Sequence, residues 1–299
     1  MPDTPLTCLD LWVRAGSCTE RLGEEGIAHF LEHMVFKGST THQAGDFDRK
    51  IEALGGSSNA ATGFDDVHFH VLIPPKVVLP AIDLLMDLVL KPALLIDAFE
   101  MEREVVLEEI AQHNDQPDEK VFQKLLSTCW SKHSYGRPIL GYEKSLKASN
   151  PEQMKAFHDR LYTGENCCIS IAGIIPKDIE NIIERSLISK MKASSQVNSL
   201  EQKSPQLLFH KGYQELKVPR LESSRLLMAW PIAPAQEQLI ILGADIATSL
   251  LAEGRRSRLV QRLREDLQIV ESIDMDVTVL EDGGLILLEA CCRDKNIAR

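Results

Sequence analysis

The chain has 299 residues, of which 44% are apolar and 26% charged, and a formal net charge of -11. That is room for one large domain or two ordinary ones with a proper core. The acidic balance argues against nucleic acid as the main partner, and no apolar run reaches the length of a membrane span.

A strand is expected over residues 7–15, closing at Gly16-Ser17. A helix over 23–36 follows, stopped by Lys37 and Gly38. A second helix spans 46–54 and ends at Gly55-Gly56. Two strands come next, 57–62 and 67–73; in the latter Val67, Phe69 and Val71 alternate with His68, His70 and Leu72. Pro74-Pro75 ends the pair. Helices are expected over 77–90 and over 97–114, the latter with Asp97 as N-cap. Helical segments continue through Trp130 and again over 151–161, followed by a buried strand at 167–172 and a helix at 177–186. Residues 190–205, rich in Ser, Gln, Lys and Asn, read as a linker or surface loop.

The pattern then restarts: strand 224–230, helices 236–251 and 257–267, strand 270–279, a turn at Glu281-Asp282-Gly283-Gly284, and strand 285–292. This order repeats the one seen from residue 7 to 73, and an internal duplication is the simplest account. The domains expected are therefore 1–189, a linker at 190–205, and 206–299. The fold expected is α+β, a duplicated domain of mostly antiparallel sheet packed with helices, with the second copy incomplete. Seven cysteines without a Cys-x-x-Cys give no support to thiol chemistry. The pairs Cys167-Cys168 and Cys291-Cys292 read as small core residues in a reducing compartment. Residues 1–6 lack the basic and apolar stretches of a secretory signal. A bacterial cytoplasm is the expected setting, with an organellar lumen as the alternative.

The stretch that carries chemistry is His29-Phe30-Leu31-Glu32-His33. On a helix the four-residue spacing places both imidazoles on one face, where they can close on one divalent metal. Zinc is the default expectation, because it accepts neutral imidazole and carboxylate without redox chemistry, and Glu32 lies near where a water on that metal would sit. The order His-x-x-Glu-His is the inverzincin pattern. A three-ligand site needs one more donor. The charged helix over 97–114 offers Glu100, Glu102, Glu104, Glu108 and Glu109. Glu102 and Glu109 share a face with the apolar Val106, whereas Glu104 and Glu108 suit solvent. Val106 argues modestly for Glu109 pointing inward, and His113 is a weaker alternative.

With these residues the chain resembles the pitrilysin-family metallopeptidases, in the branch of the mitochondrial processing peptidase and its bacterial relatives. The likeness is carried by Ala15-Gly16-Ser17, by Gly26 through Ser39 around the motif, by Gly55-Gly56 with Asn59-Ala60, and by Glu102 through Ile110. Tyr135-Gly136-Arg137-Pro138 with Gly141, and Arg256-Ser257-Arg258-Leu259, extend it over nearly the whole chain. The family's third ligand lies about 76 residues after the second motif histidine in a Glu-x6-Glu arrangement, which implies Glu109 as ligand and Glu102 as the carboxylate that orients a ligand. The resemblance also implies that Asn59 and Ala60 belong to an edge strand that pairs with an extended peptide or unfolded polypeptide substrate.

The reaction implied is peptide-bond hydrolysis, with Zn2+ on His29, His33 and Glu109, and Glu32 as general base toward water and acid toward the leaving amine. Members of the family usually open with an Asn-Gly-Leu strand before the one at residue 7. They also close a chamber with a second pair of domains, in the same chain or in a partner. This chain matches neither feature, so a homodimeric or heterodimeric partner completing the chamber is expected. A non-catalytic scaffold or partner subunit is the competing reading. Such members have degraded motifs, whereas His29, Glu32, His33, Glu102 and Glu109 are all intact here. A metal-storage protein would use the same ligands but would have no need of Glu32.

Overall fold

Alternating burial builds the first sheet. Leu9, Leu11 and Val13 are at most 1% exposed while Trp12 faces solvent, the signature of a strand with one face on a core. They lie on β1 (Thr7–Val13) in a computed structural model that describes residues 5–186, 207–219, 221 and 223–297. The linker expected at 190–205 lies outside these residues. β1 stops short of the expected Ala15 because Ala15 turns its N–H back onto the Val13 carbonyl, 2.8 Å away.

The motif helix α1 (Ile27–Val35) is shorter than the expected 23–36. Gly26 holds φ +95°, outside helical space. A Cβ there would meet the Leu140 carbonyl oxygen at 2.6 Å, so the position takes glycine, and the helix begins only after it. Then come α2 (Asp46–Ala53), β2 (Ser57–Thr62), β3 (Val67–Ile73) and α3 (Val78–Leu90). α4 (Ile96–Asp115) starts one residue before Asp97, which therefore sits in the first turn and is not the cap. α5 (Pro117–Cys129) and α6 (Glu143–Ala148) follow, and α7 (Pro151–Leu161) opens on a reciprocal cap between Asn150 and Gln153. β4 (Cys167–Gly173) and α8 (Ile179–Arg185) complete this run.

The chain divides into two compact units, Met1–Gln112 with Pro138–Lys203, and His113–Arg137 with Ser204–Arg299. In the first, the sheet order is β2-β3-β1-β4, antiparallel throughout, with Leu11 opposite Phe69 and Asp10 opposite His70. The apolar face of this sheet joins Phe30, Phe47, Ile82, Phe99, Val106 and Phe157 from α1, α2, α3, α4 and α7 in one core. The cysteines at 167 and 168 do not join that core fully. Cys167 is half-buried and Cys168 exposed, because β4 is an edge strand whose outer face meets solvent. Cys291 and Cys292 are buried.

The second unit holds β5 (Ser224–Ile232), α9 (Gln238–Ala252), β6 (Ser272–Thr278) and β7 (Gly284–Cys292). Its sheet order is β5-β7-β6, again antiparallel. The first, second and third strands of each run thus pair identically, so the duplication read from element order is also present in topology. Among the described residues no strand takes the place beside β5 that β4 takes beside β1. β5 runs through Pro231, opposite Leu285, beyond the Trp230 expected to end it; an edge strand tolerates the missing donor. The helix expected at 257–267 is a π-helix over Val260–Asp266, with the Leu267 N–H reaching back five residues to the Arg262 carbonyl at 3.1 Å. The stretch 113–137 is tied into this unit by an Arg225–Asp118 ion pair (3.2 Å) and by the Asp282 N–H, which donates to the Tyr135 hydroxyl at 3.2 Å.

Candidate metal centre

α1 buries Ile27, Phe30, Leu31, Met34 and Val35 against the core, which fixes the helix about its axis and sets where His29 and His33 point. The two imidazoles stand one turn apart, ring centroids 4.7 Å from each other and inclined by 64°. The helix start is held by Glu20, only 5% exposed, whose Oε1 accepts from the Gly26 and Ala28 N–H groups at 3.0 Å each. Those amides have no partner within the helix, and a carboxylate there also meets the positive end of the helix dipole.

α4 lies against α1 through Phe99 and Phe30, whose ring centroids are 4.6 Å apart. Its buried residues Phe99, Glu102 and Val106 define one inward stripe, and Glu109, two turns beyond Glu102, reaches the histidines. Glu109 Oε2 stands 3.7 Å from His29 Nε2 and 3.5 Å from His33 Nε2. Donors on a tetrahedral zinc at 2.0–2.1 Å are about 3.3 Å apart, so both Glu109–histidine separations are close to what one such ion requires, and all three donors lie within 4.8 Å of one another. Glu100, Glu104 and Glu108 are exposed. His113, the alternative donor, faces Glu119 at 3.1 Å and is not among the clustered residues.

Electrostatics favours a cation here. Burial, with the neighbouring His33 adding to it, pushes the His29 pKa down to about 4, so His29 is neutral at pH 7 with a lone pair to offer. Its Nδ1 is buried with no hydrogen-bond partner among the described residues. His33 Nδ1 lies 3.0 Å from Glu102 Oε1, and Lys37 Nζ is 2.7 Å from the other oxygen of that carboxylate. Glu102 accepts best from a protonated Nδ1, which leaves His33 Nε2 bare toward Glu109. The donor set and its spacing thus fit a zinc ion.

Glu32 has its own environment. Burial raises its pKa, opposed chiefly by a hydrogen bond from the Thr62 hydroxyl, 2.5 Å from Glu32 Oε2. Thr62 ends β2, which among the described residues has β3 as its single neighbour in the sheet order, so the edge of this sheet runs up to this carboxylate. Asn59 on that edge is exposed and Ala60 half-buried; the Ala60 N–H donates to Asn59 Oδ1 at 2.9 Å. A cavity of about 660 Å³, lined by His42, Lys50, Leu54, Asp87 and Lys91 among others, shares none of these residues. Glu20, Thr62 and Lys37 carry no signal of their roles in the sequence. Lys37 reads there only as a charge at a helix end, and the other two act across turns that local periodicity does not describe.

The comparisons with known proteins bear on family and fold. A family model described as Insulinase (Peptidase family M16) matches residues 2–143, and one described as Peptidase M16 inactive domain matches residues 149–299. An uncharacterized zinc protease of Rickettsia felis is 28% identical over 291 residues, which is 97% of this chain and 69% of that protein. A protease from Helicobacter pylori superposes with a TM-score of 0.83 at 22% identity, covering 97% of this chain and 70% of its own. Pitrilysin superposes with a TM-score of 0.77 at 20% identity, over 100% of this chain and 32% of its own. At such identities the two structures speak for the fold. The chain spans 65% to 69% of the length of the first curated relatives it matches.

Proposed function

The chain belongs to peptidase family M16, and on that premise we propose that it is a zinc-dependent endopeptidase that hydrolyses peptide bonds in extended polypeptides, with Glu32 as general base. The observation that carries this reading is the convergence of His29 Nε2, His33 Nε2 and Glu109 Oε2 beside Glu32 and the end of an open sheet edge. His29, His33 and Glu109 would hold the metal. When bound, zinc supplies a Lewis acid that acidifies water and polarises a carbonyl.

The protein side chains supply the rest. Glu102 fixes the ring of His33 and its tautomer. Glu32 takes a proton from the attacking water and delivers it to the leaving amine. A carboxylate whose pKa is raised by burial is better matched to both transfers near neutral pH than an ordinary one. The peptide lies along β2 and is held by main-chain hydrogen bonds. Asn59 Oδ1 must then release the Ala60 N–H, which makes Asn59 a gate on that contact.

The inactive-domain match over 149–299 fits a second half that contributes surface and not ligands. A partner, a second copy or a different subunit, would complete the chamber around the substrate. No described helix is long and apolar enough to cross a membrane. The seven cysteines form no disulfide among the described residues, which suits a reducing cytoplasm. The test is zinc analysis joined to cleavage of a mixed peptide library, by the chain alone and with candidate partner chains. Cleavage that chelation abolishes is expected. Tight zinc at His29 and His33 with no cleavage under any condition would replace the enzyme by the scaffold subunit.

A further inference from the structure

A second constellation of metal-ligating side chains lies on the sheet of the first unit and shares no ligand with the site above, although His68 is near enough to Glu32 to act on it electrostatically. β1 and β3 are its two interior strands. Their core faces carry Leu9, Leu11, Phe69 and Val71, so the period of two turns Asp10, His68 and His70 to the opposite face. His68 and His70, two apart on one strand, stack with centroids 5.6 Å apart and planes 19° from parallel. Asp10 is the direct cross-strand partner of His70, and its Oδ1 is 3.1 Å from His68 Nδ1. Trp12, opposite His68, stacks on the same ring at 4.4 Å and backs it with an apolar wall. One donor atom from each of Asp10, His68 and His70 falls within 4.8 Å of the other two, and all three residues are half-buried.

We propose that Asp10, His68 and His70 form a second divalent-metal site, for a first-row transition ion such as zinc or copper(II), on the sheet face turned away from the core. Two imidazoles and one carboxylate are the donors such ions prefer. The strands hold them by ladder hydrogen bonds on both sides, so little must be reorganised on binding. An ordinary ion pair between His68 and Asp10 would account for those two residues but gives His70 no task. His70 is therefore the residue that separates a metal site from a structural pair. The site shares no ligand with His29, His33 and Glu109, and it stands whether or not the catalytic reading does.

The test is titration of the full metal-stripped chain with Zn2+ alone and with Cu2+ alone, reading stoichiometry by equilibrium dialysis and copper coordination by electron paramagnetic resonance. The wild type is expected to take up a second equivalent. The His29→Ala/His33→Ala double variant should retain one, with nitrogen couplings in its copper spectrum. Adding His70→Ala to that variant should weaken the retained ion at least about 10-fold, the least that loss of a mere outer partner costs a metal site. Asp10→Asn, nearly isosteric, should weaken it likewise, and circular dichroism shows whether each variant is folded. Uptake of a single equivalent that the His29→Ala/His33→Ala variant no longer holds, or affinity unchanged by both His70→Ala and Asp10→Asn, overturns the proposal. Loss of the ion on His29 and His33 replacement alone would leave the catalytic reading intact and sink this one; loss on His70 replacement alone would do the reverse.

Discussion

Glu102→Gln isolates the contribution of one hydrogen bond to the metal centre. The Glu102 side chain is 9% exposed, and its Oε1 is 3.0 Å from His33 Nδ1. Glutamine preserves the volume, so no cavity opens in the inward stripe of α4. It removes the charge that favours a protonated Nδ1, and its amide can turn an N–H toward that nitrogen, which would place the ring proton on Nε2, where the metal must bind. Lys37 also loses its partner, but its side chain is 37% exposed and water replaces the contact at little cost. The effect therefore falls on His33. Loss of such an outer partner weakens metal binding about 10- to 100-fold, or roughly 1.4–2.7 kcal/mol. Competition against a chromophoric zinc chelator at pH 7 measures it, with the exposed Glu108→Gln as the control. A Glu102→Gln protein that competes as well as wild type, while Glu109→Gln loses zinc, would refute the orienting role.

Glu32→Gln should keep its zinc and lose turnover by about 10²–10⁴-fold; ready peptide cleavage by that variant would end the general-base assignment. Thr62→Val removes the hydrogen bond that holds the Glu32 pKa down against burial. The pKa should then rise, and the acidic limb of the pH profile of kcat/KM should move to higher pH; a limb that stays in place or moves down contradicts this. Glu20→Ala leaves the buried Gly26 and Ala28 N–H groups without their acceptor, at about 1–3 kcal/mol each. Urea unfolding should show a loss of about 2–6 kcal/mol, and an unchanged midpoint would mean that other groups cap α1.

Much of the fold is legible in the sequence because burial writes its own period. Residues 57–62 and 67–73 form strands at the boundaries expected, and the repeat of strand, helix, helix, strand, strand reappears as identical pairing in two sheets. Ends that depend on distant neighbours are not legible in this way. α1 begins at Ile27 because Gly26 abuts Leu140, more than a hundred residues away, and β5 passes through Pro231 because it lies at an edge. The grouping of 113–137 with the later half rests on Arg225 and Asp282, again long-range. At the centre, the spacing of Glu102 and Glu109 puts both on one face, but which of them meets the Nε2 atoms follows from how α4 leans on α1 through Phe30 and Phe99. His68 and His70 stand out in the alternation of β3; that Asp10 lies across from His70 is a matter of register, which only pairing sets.

The composition of β2 has a consequence for aggregation and for selectivity alike. An open strand is a template on which other chains can polymerise, yet this one is six residues of Ser, Asn, Ala and Thr with no large apolar side chain, and Asn59 folds back to occupy one of its amides. Such an edge has little to hold a stray strand by. A polypeptide paired along it would be gripped by its backbone and scarcely sorted by its side chains, so discrimination among sequences would fall to whatever surface meets that polypeptide on its other side.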